Sequence, residues 1–555
     1  MLAVEIRRIF MHRRVQFFLA TALVTTIVWL CTFNGSGALG LIGPDEPRYA
    51  AVAREMATDG DWVTPKLHGV PWFEKPVLYY WMAASAFHAF GVSETTARLP
   101  SSLMGLLLIG MLAWLCRQLY GWPTTYALLL ILPTTVAAIG FSRAATHDMV
   151  FASALGISLV AAVRIVYEQI RDSSTSSSAY CCLGSWYTWR LLWGVSLGAA
   201  VLAKGPAALV LAGGSVGFWV LITGRWKIGL TLVHPVAILA FMLVALPWYV
   251  ACALQNPSFI QTFLIEHNIQ RYLTPVFRHE QPVWFYGQIL LIGLVPWTVL
   301  LLNVVRDIKS IFVTGKWRSS VGLFIGCWGL FPLLFFSLSS SKLPGYILPA
   351  VPPLVLLIAH STTRAAIECP RVLAKLVAMV GGTFILLGIA AVIGTSRLPI
   401  ELQVLLSSRS TVIGLTILLS VTGLIVVLLG FWQRIWMGLS IAAIGMAVFL
   451  TGITGWVAPQ LDARLTARVL AAEVQHVRQE QELVSVHQLH RSWHYGLNYY
   501  LEQSLPMWTN TGTGLVITSQ EGVLDIRGEG YDIRVMSEIT QDVVIARLFS
   551  LQKGP

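Results

Sequence analysis

The sequence predicts a polytopic α-helical membrane protein that carries a small α/β domain at its C-terminal end. Three observations predict it. Hydrophobic residues make up 56% of the 555-residue chain and charged residues only 12%, about half the roughly 25% of soluble domains. Mean hydropathy is +0.69. Apolar runs long enough to cross ~30 Å of hydrocarbon recur from the first residues to about Val457. These features exclude an ordinary soluble enzyme, a disordered chain and a collagen-like repeat. The formal net charge of +11 comes from 38 basic and 27 acidic residues. It reads as the positive-inside bias of membrane loops, so no nucleic-acid partner is expected. The seven cysteines form no CxxC and no metal spacing, and none follows Cys369. A disulfide framework for the C-terminal part is thereby excluded.

The elements follow in order. MLAVEIRRIFMHRR precedes VQFFLATALVTTIVWLCTF, a run longer than the core of a signal peptide, which predicts an uncleaved first helix. Further runs lie near 97–117, 122–143, 147–166, 189–203, 206–222, 228–250, 283–304, 319–338, 346–363, 372–394, 412–431 and 434–457, about thirteen spans with the first. The segment PVLYYWMAASAFHAF (76–90) is amphipathic and short, which predicts an interfacial helix. If the N-terminus is cytoplasmic, almost every basic cluster falls on that side, including RRIFMHRR, TGRWK and RDIKSIFVTGKWR. An odd span count then puts the C-terminal segment outside. DSSTSSS (172–178) reads as a flexible linker. From about residue 460 the pattern changes. DARLTARVLAAEVQHVRQEQ has a polar-faced helical period. ELVSVHQL, LNYYLEQ, GLVITSQ and DIRVMSE alternate like strands. The expected organisation is a membrane domain, 1–459, with a first external loop at 34–96, and a soluble external α/β domain, 460–555. No repeat of fixed period is visible.

On this topology the unusual polar residues converge on one side. The first external loop holds Asp45, Glu46, Arg48, Glu74 and Lys75. Later turns hold His147, Asp148, Lys204, Glu266, His267, Arg271, Lys342 and Tyr346. Ionisable groups at membrane depth are costly, so they point to function. Each also has a local explanation. Asp45 and Asp148 stand where helix caps stand. The lysines and Arg271 can snorkel to the interface. Tyr346 can belong to an aromatic belt, and His267 can bond a carbonyl. These local readings weaken together, because the cations and carboxylates share the face that the positive-inside rule leaves poor in Lys and Arg. Several cations, a phenol and isolated carboxylates suit an anionic phosphate leaving group beside a reacting centre. Glu74 and His267 could together ligate a divalent metal such as zinc, although two ligands alone make a weak site.

At these residues the chain resembles the GT-C glycosyltransferases of the dolichyl-phosphate-mannose/protein-mannosyltransferase type, and within them the bacterial lipid A aminoarabinose transferases. The resemblance is carried by PDEPRYAAVAREM (44–56), GDWVTPKLHGVPWFEKPVLYYW (60–81), the Asp148 turn, AKGP (203–206), LPWYV (246–250), FLIEHNIQRY (263–272), VWFYGQIL (283–290) and SKLPGYILP (341–349). It covers most of the first 365 residues and fades beyond them. The resemblance implies a GT-C fold with about thirteen transmembrane helices, periplasmic interfacial helices and a small periplasmic α/β domain. It implies a multi-pass protein of the bacterial inner membrane whose active site faces the periplasm. By position it implies Asp45 and Asp148 as catalytic carboxylates, and Lys75, Lys204, Arg271 and Tyr346 as donor-phosphate binders. Glu74 and His267 would be the metal ligands, with the metal structural or positioning. Glu46, Arg48, Tyr49, Tyr79 and Lys342 are further pocket candidates. The implied donor is an undecaprenyl-phosphate sugar, the implied acceptor a lipid A phosphate, and the outcome inversion, without a nucleotide cofactor. Such modification of lipopolysaccharide goes with polymyxin resistance. Membrane lipids are the expected surroundings and a monomer the expected state.

Two rivals stand beside this reading. One is a polyprenyl-phosphate-sugar transferase acting on a protein hydroxyl or another glycan. The other is a lipid or sugar transporter, which would place charges near the bilayer midplane within broken helices. Here the polar residues lie at span ends on one side.

Overall fold

The computed structural model describes residues 18–172, 183–274, 280–314, 321–396, 409–480, 482–509, 514–540 and 543–550. The linker expected at 172–178 lies, beyond Asp172, outside the described residues. Among the described residues, seven helices are long and apolar enough to cross a membrane: Glu94–Tyr120, His147–Arg171, Pro235–Gln255, Pro344–Glu368, Pro370–Gly394, Val412–Phe431 and Ile435–Leu465. Two bent pairs, Trp122–Thr134 with Val136–Ser142 and Phe285–Gly293 with Thr298–Lys309, make nine if each pair is one span. Phe18–Thr32, Ala207–Thr223 and Val321–Ser337 are shorter apolar helices, and Leu183–Lys204 completes the set. These elements coincide run for run with the spans expected from sequence. The chain is a multi-pass membrane protein. The count by length alone is lower because some runs are short or broken. In the first bent pair Pro133 withdraws a backbone donor just before the break.

His147–Arg171 is the central helix. Nearly all of its apolar stretch is buried, as expected of a helix that is apolar all round. Glu94–Tyr120 and Leu183–Lys204 pack against it. A second tight pair, Pro370–Ser396 with Arg409–Phe431, meets through glycines. A Cβ on Gly381 would lie 2.5 Å from the Gly423 carbonyl oxygen, and one on Gly423 would lie 2.6 Å from that of Gly381. Without a hydrophobic drive between helices in lipid, such backbone approach supplies the packing. Gly381→Leu is therefore expected to cost about 1–3 kcal/mol by overpacking. The neighbouring Gly382 faces open space, so Gly382→Leu should be nearly silent. Thermal unfolding of both variants in detergent checks this, and equal midpoints would refute the packing argument.

The first external loop is a built structure. Helix Asp45–Asp59 ends at Gly60, whose φ of 72° only glycine adopts freely, with its N–H donated to Met56 O. A small antiparallel hairpin pairs Lys66–Leu67 with Val70–Pro71. Its turn has positive φ at both His68 and Gly69, the geometry that matches strand twist. Helix Leu78–Phe90 covers the segment expected to be interfacial. It buries Tyr79, Tyr80, Ala83, Ala84 and Phe87 between Asp45–Asp59 and Glu94–Tyr120, and leaves Phe90 exposed.

The C-terminal α/β unit corrects several expectations. A four-stranded sheet is formed by β1 (Val484–His487), β2 (Gly514–Thr518), β3 (Tyr531–Thr540) and β4 (Val543–Ser550) in the order β1-β2-β4-β3. The β1–β2 pair is parallel; the β2–β4 and β3–β4 pairs are antiparallel. Of the strand expected at LNYYLEQ (497–503), residues 497–500 instead end helix Arg491–Tyr500, and Leu501 follows as its C-cap. Trp493, Leu497 and Leu501 recur at helical spacing against the core of the unit, a period too long for a seven-residue window to reveal. The single helix expected after 460 is broken at Thr466 into Ala458–Leu465 and Arg468–Val477. There Thr466 bridges to Ile42 and bonds Asp462. Helix Gln520–Gly528 and strand β4 were not expected. Residue 460, where the external domain was expected to begin, lies within the helical stretch Ile435–Leu465.

Candidate functional site

Asp45 opens helix Asp45–Asp59, but Pro44 occupies the cap position and no side chain caps the helix. The capping explanation for Asp45 is therefore excluded. Its carboxylate, half-exposed, accepts from Arg48 at 2.6 Å. Arg48 lies over the rings of Tyr49, Trp72 and Tyr495 at 5.3–5.4 Å and reaches Glu74 Oε2 at 2.9 Å. Glu74 Oε1 takes Lys75 at 3.2 Å and Arg271 at 3.5 Å. Burial alone would raise the Glu74 carboxyl, but Lys75, Arg48 and Arg271 outweigh it and hold the group well below the usual carboxylate range.

The second carboxylate arrives from the bundle. Asp148 is the second residue of the central helix, and it pairs with Lys204, the last residue of Leu183–Lys204. Lys204 does not snorkel away; its Nζ sits 4.8 Å from the centre of the Tyr346 ring. Tyr346 stands in the tight turn Pro344–Ala350. A Cβ on Gly345 would come within 2.8 Å of the Asp148 carboxylate, so glycine in SKLPGY leaves the room that Asp148 occupies. Gly205 in AKGP has φ of 86°, and a Cβ there would lie 2.7 Å from the Phe263 ring. This turn brings FLIEHNIQRY against the end of the lysine helix.

Two cavities meet at this point. The polar one, of about 570 Å³, is lined by Asp45, Arg48, Tyr49, Trp72, Asp148 and Arg491 among others. The apolar one, of about 580 Å³, is lined by Phe151, Ala207, Val210, Phe263, Phe335 and Phe336 among others. Glu74, Lys75, Lys204, His267, Arg271 and Tyr346 line both. A greasy groove thus opens through a wall of cations into a polar chamber.

Most residues singled out from sequence come together here, but three do not act as expected of pocket residues. Glu46 touches the chamber, yet its carboxylate is engaged elsewhere. It takes the Arg98 guanidinium at 2.6 and 3.2 Å and the backbone N–H groups of Ile42 and Ala145 at 2.7 Å. Arg98 also donates to the carbonyls of Leu39 and Gly40. Glu46 and Arg98 are both buried, and this network meets the partners that burial of a charge requires while it holds the loop in place. Tyr79 is wholly buried and donates to Ala97 O at 2.8 Å. Lys342 is buried and donates to Ser339 O at 2.6 Å; it lines neither cavity. Sequence reasoning did not single out Trp72, although it lies in the PWFEKP segment beside Glu74 and Lys75, and it missed Arg491 and Tyr495. Nothing in the local pattern marks these last two: Arg491 lines the chamber and Tyr495 packs on Arg48 only because a distant helix docks on the first loop. His147, buried against the rings of Tyr49, Tyr79 and Tyr80 at 4.7–4.9 Å, adjoins Asp148.

Glu74 and His267 are neighbours in the shared wall, and burial pushes the His267 imidazole down toward neutrality. They fit a divalent cation poorly as placed. Both Glu74 oxygens already face cations, and a further positive ion would add to that charge. Among the described residues no group of three or more ligating side chains gathers here or elsewhere.

The family model for dolichyl-phosphate-mannose-protein mannosyltransferases matches residues 17–263. The undecaprenyl phosphate-alpha-4-amino-4-deoxy-L-arabinose arabinosyl transferase of Edwardsiella ictaluri is 32% identical over 326 residues, 58% of this chain and 55% of that protein. A second such transferase, from Pseudomonas fluorescens, is 32% identical over 361 residues, 64% of this chain and 62% of that protein. The aligned segments thus span little more than half the length of these relatives. Among solved structures, ArnT from Cupriavidus metallidurans bound to undecaprenyl phosphate superimposes with a TM-score of 0.78 at 21% identity, covering 96% of this chain and 99% of that one. Its apo form gives 0.77 at 22% identity, covering 98% and 99%. The chain therefore has the fold of these two ArnT structures, and the resemblance read from its motifs is borne out.

Proposed function

We propose that this protein is an inverting glycosyltransferase of the bacterial inner membrane. It moves a sugar, 4-amino-4-deoxy-L-arabinose, from undecaprenyl phosphate to a phosphate of lipid A at the periplasmic face. One observation carries the reading: the apolar groove and the polar chamber share a wall of Lys75, Lys204, Arg271 and Tyr346. A polyprenyl chain suits the groove, and its phosphate then meets the wall while its sugar enters the chamber. The relatives, undecaprenyl phosphate-aminoarabinose arabinosyl transferases, suggest the sugar and the carrier.

The chemistry follows from the charges. As the anomeric bond breaks, negative charge grows on the departing phosphate oxygen. Lys75, Lys204 and Arg271 are already placed there, so their stabilisation costs no reorganisation. Asp45 and Asp148 face the sugar end and can stabilise a cation-like anomeric centre or hold the amino group. An ionised phosphate acceptor needs no strong base, whereas a hydroxyl acceptor needs one within hydrogen-bond reach.

The test is reconstitution of the purified protein with the defined donor and lipid A, followed by product mass. The expected result is a mass increment of one aminopentose on lipid A. Absence of that increment, with transfer to a protein or glycan instead, would move the protein to the rival acceptor class. Ala207→Trp, which fills the groove, is expected to raise KM for the long-chain donor about tenfold, the burial of roughly two methylenes. It should leave a donor with a truncated prenyl chain nearly unaffected. Equal effects on both donors would remove the groove from the reading.

A further inference from the structure

We infer that Arg491, contributed by the C-terminal α/β unit, binds the phosphate of the acceptor and so sets acceptor specificity. The inference rests on the glycosyltransferase reading and adds the recognition of the second substrate. Arg491 lines the polar chamber but not the apolar groove. It is exposed, and it makes no ion pair among the described residues. The other chamber cations are committed: Arg48 to Asp45 and Glu74, Lys75 and Arg271 to Glu74, and Lys204 to Asp148.

The charge balance of the chamber calls for such a residue. With Glu46 engaged by Arg98, Arg48, Lys75, Lys204 and Arg271 face Asp45, Glu74 and Asp148. That leaves one surplus positive charge, which a singly charged donor phosphodiester neutralises. An acceptor phosphomonoester brings about −1.5 to −2 more at pH 7. Two anions must then meet across a sugar, and the second one needs its own cation. A guanidinium matches phosphate by two parallel N–H donors, which fixes orientation as well as charge.

Arg491 is also held where this task requires. It begins helix Arg491–Tyr500, which is pinned to the first external loop at three points. Tyr495 packs on Arg48, Tyr499 O accepts from Arg54 at 2.9 Å, and Tyr500 donates to Glu94 at 3.0 Å while accepting from Leu41 N–H. An acceptor entering from the side away from the groove meets Arg491 and the half-exposed Asp45 in the same chamber.

The experiment uses the full-length protein in detergent, with lipid A and chemically dephosphorylated lipid A as acceptors. Steady-state transfer and direct binding without donor are both measured for the wild type, Arg491→Ala and Arg491→Lys. The expected result for Arg491→Ala is a KM for phosphorylated lipid A raised about ten- to hundredfold. Its donor KM and thermal midpoint should be unchanged, and Arg491→Lys should recover part of the loss. Loosening of the α/β unit would instead move both KM values and the midpoint. Wild-type affinity of Arg491→Ala for phosphorylated lipid A would overturn the proposal, as would equal wild-type binding of the two acceptors. If Arg491→Ala loses phosphate-dependent binding but the wild type shows no turnover, the phosphate site stands and the reaction reading fails.

Discussion

Asp45→Asn is expected to lower sugar transfer by about 10²- to 10³-fold, the range for removing one preorganised group that faces a developing charge, while the protein still inserts and purifies in normal amount. The two halves of this expectation have separate causes. Asp45 is half-exposed at the chamber wall and paired with Arg48. Arg48 keeps Glu74 as a partner at 2.9 Å and keeps its aromatic neighbours Tyr49, Trp72 and Tyr495. Losing the Asp45 charge therefore strands no buried cation, and an exposed pair contributes at most about 1 kcal/mol. Asparagine preserves the size and removes only the charge that faces the sugar. The checks are single-turnover transfer from the polyprenyl donor and a thermal midpoint within a degree or so of wild type. Transfer at the wild-type rate would sink the assignment of Asp45, and a large fall in midpoint would make its role structural.

The opposite balance is expected at Glu74→Gln. Glu74 is largely buried, its side chain 11% exposed, and faces Arg48, Lys75 and Arg271. Neutralising it leaves three neighbouring cations without their common counter-charge, and breaking a buried pair in this way typically costs about 3–5 kcal/mol. The expected outcome is a clear fall in thermal midpoint together with loss of transfer. The pH dependence has a definite sign. The folded-state carboxyl lies well below its ordinary value, because the three cations outweigh burial. Its stabilising contribution is therefore fully present above the unfolded-chain value of about 4.3. It declines as the pH falls through the depressed folded value. The midpoint difference between wild type and Glu74→Gln should thus be flat from neutral pH down to about 5 and shrink only in stronger acid. A difference that disappears by mild acidification would mean that Glu74 carries no such pairing.

Much of the architecture was legible along the chain because membrane insertion is a local contest. Each helix satisfies its own backbone and presents about twenty apolar residues to lipid, so runs such as His147–Arg171 announce themselves. The candidate site was legible for a related reason. Charge at membrane depth is rare, and Asp148, Lys204 and Arg271 stand out against their surroundings. The small α/β unit was less legible. Its segments are short and half-buried, so LNYYLEQ alternates like a strand while its first four residues end a helix that buries Leu497.

The sequence by itself determined that this is a many-span membrane protein with cations and carboxylates gathered toward one side, since hydropathy and charge act residue by residue. Only the tertiary structure decided what those charges do. Glu46 and Asp45 are adjacent in the chain, yet Glu46 is engaged by Arg98 in holding the loop and Asp45 faces the chamber. Lys342 looks like Lys204, yet only Lys204 meets Asp148. Arg491 enters the chamber from far along the chain because helix Arg491–Tyr500 docks on the first loop. The energy of a buried charge is set by which partner lies within a few ångströms, and that distance is a property of the folded chain.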